Sequence, residues 1–142
     1  MTVSVRKGQL DYFRKKCKAN PTEIMAMLLG FRHSADYAEV VQFVYPDLEI
    51  STRSETLVSG DEVDRIDELA ELLGLEVLGS AHSHPDYLPI LSPTDHRLFK
   101  DFGDLIVGVC EVPKTGRTRV VFWTRNTSLP CDLVYEKEKK KK

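Results

Sequence analysis

A chain of 142 residues, 42% apolar and 30% charged, has the length and composition of one ordinary soluble domain. No apolar run approaches the roughly 18 residues of a membrane span, and Met1–Lys7 lacks the apolar core of a secretory signal. Net charge is −2, but Glu136–Lys142 holds five Lys against two Glu, leaving 15 basic and 20 acidic groups on the rest; an acidic body argues against general nucleic-acid binding.

Residues 6–19 place Leu10, Phe13 and Cys17 at helical spacing, with Asn20-Pro21 as a stop. The apolar run Ile24–Phe31 reads as a strand buried on both faces. A polar turn at His33–Asp36 leads to Glu39–Tyr45, which is β-branched and aromatic and is expected to pair back as a hairpin. Residues 49–58 are expected to hold a further strand. Asp61–Leu73 is the clearest helix: Val63, Ile66, Ala70 and Leu73 form one stripe, Ser59 or Asp61 suits the cap, and Gly74 follows its end. Leu75–His82 reads as a strand, Pro85–Leu91 as a proline-stiffened loop, and Pro93–Phe102 as a helix stopped by Gly103. Leu105–Val112 and Arg117–Thr124 form a hairpin across Pro113–Gly116, and a short strand is expected at Leu133–Tyr135. This irregular alternation predicts an α/β (α+β) fold, a mixed sheet flanked by helices, over residues 1–135, with a solvated Lys-rich tail at 136–142. Cys17, Cys110 and Cys131 are odd in number and widely spaced, as expected of reduced thiols in a cytoplasmic protein.

The chemistry gathers where that strand ends. His82 and His84 are two apart, and such neighbours on a strand share a face, so both imidazoles can reach one ion. Asp95 would return from the first turn of the next helix. Two His and a carboxylate leave a tetrahedral Zn²⁺ one open position, the pattern of a catalytic site. Each part has a plainer reading. Ser92-Pro93-Thr94-Asp95 is a good helix start by itself, with Ser92 at the N-cap, Pro93 at N1 and Asp95 closing a capping box. A lone His-x-His is weak evidence of metal binding; the combination with Asp95 strengthens it, and a capped helix start also holds a carboxylate in place.

The array His82-Ser83-His84-Pro85, seven residues, Ser92, two residues, Asp95 resembles the signature of the JAMM/MPN⁺ metalloprotease family, and Pro21–Gly30 resembles the family's upstream segment, which opens on a glutamate, here Glu23. Ala26 replaces a glycine common in many members. The resemblance implies the MPN/JAMM (cytidine-deaminase-like) fold. It implies one Zn²⁺ held by His82, His84 and Asp95 with water as fourth ligand, Glu23 as general base, and Ser92 as donor to the developing oxyanion. Glu39 and Glu55 are rival bases on residue type alone, and only the resemblance selects Glu23. His33 and His96 receive no role: the first is placed in a turn, and the second points about 100° from Asp95 on a helix.

Members of that family hydrolyse amide bonds after the C-terminal Gly-Gly of ubiquitin or ubiquitin-like proteins. The shortness of the chain resembles the minimal archaeal or bacterial type, which implies a small ubiquitin-like or sulfur-carrier partner. An extended tail would add at a strand edge, for which Leu48–Ser59 is the candidate. Two other readings stand beside this one: a non-catalytic MPN scaffold, and a related metal hydrolase such as the RadC-type DNA-associated proteins.

Overall fold

The computed structural model describes residues 1–20, 23–51, 56–85, 97, 99, 104–113, 116–125 and 132–136. In chain order these form β1 (Thr2–Arg6), α1 (Lys7–Ala19), β2 (Met25–Ser34), β3 (Tyr37–Val44), β4 (Leu48–Ser51), β5 (Thr56–Val58), α2 (Gly60–Leu73), β6 (Glu76–Pro85), β7 (Ile106–Val112), β8 (Arg119–Thr124) and β9 (Asp132–Glu136). Arg97 and Phe99 are also helical.

Seven strands make one mixed sheet in the order β8-β7-β6-β2-β3-β1-β9, and β4 and β5 pair separately. The β2–β3 hairpin is antiparallel, as expected of two β-rich runs joined by a tight turn. β6 crosses back to lie antiparallel to β2 and parallel to β7, while β1 runs parallel to both β3 and β9. The first and last strands in the order, β8 and β9, come against each other, so the sheet is rolled rather than open.

The roll has two packed faces. On one, Leu10, Phe13 and Cys17 of α1 bury against Val3, Val5, Ala26, Leu28, Phe43, Ala81, Cys110 and Phe122. These apolar side chains are essentially solvent-free, which is the main stabilising term for an amphipathic helix. Arg14, in the middle of α1, ties the helix to the segment before β8 by donating from Nε to the Thr118 hydroxyl at 3.1 Å and from Nη2 to its carbonyl at 2.8 Å. On the opposite face, Ile66 and Ala70 of α2 bury against Met27 and Leu29. The Ser59 hydroxyl caps α2 by accepting the Glu62 N–H at 3.2 Å, and Gly74 ends it in the left-handed conformation at φ 70°.

Four expectations are corrected. Thr2–Arg6 is a strand, and α1 starts directly after it, at Lys7. β2 runs on to Ser34, so His33 lies in a strand, where it meets Glu39 at 2.8 Å. β6 continues past His82 through His84 to Pro85. Leu73 is 55% exposed and does not join Ile66 and Ala70, the buried residues of α2. The expected loop and helix start at Pro85–Leu91 and Ser92–Asp95 lie, apart from Pro85, outside the described residues, as do His96, Glu55 and Cys131.

Candidate active site

The site grows from the pairing of β2 with β6. Met25 stands opposite His82, and Met27 opposite Ser80. Met25 and Met27 belong to the α2 face, so Ser80 and His82 lie on that face too. Alternation puts position 84 on the same face as 82. The pairing persists one step beyond the ladder: the Ser83 N–H donates to the Ile24 carbonyl at 2.9 Å. Glu23 therefore stands at the end of β6 that carries both histidine positions. The Glu23 and His82 side chains are buried, at 8% and 3% exposure.

A third element comes to this face. Val107 and Val109 of β7 lie level with Ser80 and His82, and buried Phe99 packs on both valines. The helical segment containing Phe99 is thus seated beside His82, four positions after Asp95 in the chain. Asp95 and Ser92 lie outside the described residues, as does the side chain of His84. Among the described residues no three metal-ligating side chains come together. A buried imidazole is a nitrogen donor that zinc takes, and a buried carboxylate at the same strand end can serve a metal-bound water as base, so the residues present suit such an ion.

Asp104 is a residue of this face that no sequence motif marks. It precedes β7, is 8% exposed, and accepts a hydrogen bond from the Ser80 hydroxyl at 2.9 Å. Burial pushes its carboxyl up to about 6, against the opposing pull of the Ser80 hydroxyl and of His82 and Arg125. Its one sequence signal was an acid set at the mouth of an apolar strand, Leu105–Cys110. The rival base Glu39 is on β3, facing His33 at 2.8 Å, away from this strand end.

The rolled mixed sheet, with a helix on each face and the histidine strand inside it, is the α+β architecture of JAB/MPN domains. Residues 7–126 match the family described as prokaryotic homologs of the JAB domain, and the chain belongs to that family. Two solved structures share the fold. One is the solution structure of protein DSY2949 from Desulfitobacterium hafniense, 18% identical, with TM-score 0.63 over 96% of this chain and 94% of that one. The other is AF2198, a JAB1/MPN domain protein from Archaeoglobus fulgidus, 20% identical, with TM-score 0.59 over 94% of this chain and 99% of that one. No curated protein sequence matches. The JAB/MPN family includes metal-dependent isopeptidases, and prokaryotic members also include candidates for non-catalytic roles.

Proposed function

We propose that the chain is a zinc-dependent isopeptidase or processing peptidase. Its substrate is the amide bond after the terminal Gly-Gly of a small ubiquitin-like or sulfur-carrier protein. The observation that carries this reading is the Met25–His82 register, which brings buried Glu23 and the His82-x-His84 pair to one strand end. His82, His84 and Asp95 would hold the ion. Bound there, zinc supplies Lewis acidity that lowers the pKa of water to about 7. Glu23 takes the proton of the attacking water and returns it to the amine nitrogen as the C–N bond breaks. Its burial excludes bulk water from that proton transfer. Ser92 donates a hydrogen bond to the carbonyl oxygen as charge develops there, a contribution of about 3 kcal/mol for such donors.

The free, buried thiols of Cys17 and Cys110 fit a reducing cytoplasm. For the substrate tail, the β4–β5 hairpin supports strand addition: it forms its own two-stranded sheet, so its outer edges are not used by the main one. Proline at positions 52, 54 and 56 should then raise KM; unchanged turnover would remove the hairpin from the reading.

The decisive experiment is metal analysis with two variants and a Gly-Gly-linked fusion. Purified protein should carry about one zinc per chain. His82→Ala should lose it. Glu23→Gln should keep zinc and fold and yet cleave nothing. Full activity in Glu23→Gln would eliminate this base, and cleavage insensitive to chelators would eliminate the mechanism. Stable capture of the modifier without cleavage would point to the scaffold instead.

A further inference from the structure

Ser83, between the two histidines, makes an unusual bond. An ordinary hydrogen-bonded pair in an antiparallel ladder exchanges two main-chain bonds. At Ser83 and Ile24 one is normal, the Ser83 N–H donating to the Ile24 carbonyl at 2.9 Å. The return bond is different: the Ile24 N–H donates to the Ser83 hydroxyl oxygen at 2.7 Å. The hydroxyl stands off the main chain of β6 and so holds Ile24 at a different distance than a carbonyl would. Regular β2 begins only at the next residue, Met25, and Glu23 is the residue just before Ile24. Ser83 itself is completely buried. Water is therefore poorly placed to substitute for the hydroxyl.

We infer that the Ser83 hydroxyl is a positioning residue for Glu23: it stops β2 from zipping fully onto β6 and so sets where the carboxylate stands relative to the histidine strand. This rests on the proposed role of Glu23. Without the hydroxyl, the Ile24 N–H either loses its partner or closes onto the Ser83 carbonyl. Both outcomes move the residue beside it, and displacement of a catalytic group by about 1 Å can cost on the order of 100-fold in rate.

The test compares Ser83→Thr with Ser83→Val, which match in shape and differ in the hydroxyl. Ser83→Thr should stay near wild type. Ser83→Val should lose roughly 10- to 100-fold in kcat, with KM and zinc content unchanged and faster amide exchange at Ile24. A readout free of turnover is the pH titration of the visible bands of cobalt-loaded protein. There Glu23→Gln should move the midpoint, Ser83→Val should move it in the same direction, and Ser83→Thr should not. Coincident Thr and Val variants in kcat and titration would overturn the inference, as would zinc loss in Ser83→Val, since the hydroxyl would then serve the ligands. If wild type cleaves no Gly-Gly fusion while the cobalt titrations still separate as expected, the substrate assignment fails and the positioning role stands.

Discussion

Asp104 carries the clearest thermodynamic signature of the site. A buried carboxylate is costly to ionise, and one hydrogen bond from Ser80 does not offset the burial. Its carboxyl rises from 3.8 to about 6 on folding, so between those values the folded chain binds more protons than the unfolded one. The sign is opposite to that of a paired surface acid: stability falls as pH rises through this window. By pH 7 the group costs about 3 kcal/mol. In metal-free protein, Asp104→Asn should gain up to that amount at pH 7 and little at pH 4, measured by urea unfolding. Equal gains at both pH values would show that ionisation is not the cause. Asp104 and Ser83 were hard to read from sequence because their partners lie 24 and 59 residues away. That His82 and His84 share one strand is legible in the sequence because two-residue alternation is a local property of a strand. Glu23 had no such local signal, since only a long-range pairing brings it to the histidines, and the sequence offered it through resemblance alone.

Among the elements, α1 and α2 were the most legible because each carries its own apolar stripe, and α2 has both caps. β1 was missed because Thr2–Arg6 runs into α1 with no turn residue between them, and its partners β3 and β9 are distant in the chain. The sequence ends β6 at His82 because Pro85 reads as the start of a loop, yet a strand can hold proline at its end, and β6 runs to Pro85. At Gly79 the backbones of β6 and β7 leave no room for a side chain: an added Cβ would meet the Ile106 carbonyl. Gly79→Ala should therefore destabilise the chain by more than the usual glycine-to-alanine change, with a lowered Tm as the measure. Removing the α2 cap in Ser59→Ala should cost about 1 kcal/mol and leave metal binding intact. Phe99→Ala tests another coupling. Phe99 seats its segment on Val107 and Val109 beside His82, so its loss should weaken the proposed zinc binding as well as stability. The control is Phe122→Ala, on the α1 face, which should lose about 3–5 kcal/mol of stability with less effect on the metal.

At the level of the molecule, the acidic body outweighs the Lys-rich end, and the net charge of −2 gives phosphates little to hold. Duplex DNA should show no binding at moderate salt by fluorescence anisotropy; tight binding with a steep salt dependence would favour the DNA-associated reading over the peptidase. The rolled sheet bears on another kind of encounter. A flat seven-stranded sheet in this order would present two long free rims, each a template on which a foreign backbone, or another copy of this chain, could crystallise into a fibre. Among the described residues β8 and β9 come near each other without pairing, so the rims curl toward one another. The β4–β5 ribbon pairs apart from that sheet, so guarding against self-association and admitting the proposed substrate tail would fall to different parts of one fold.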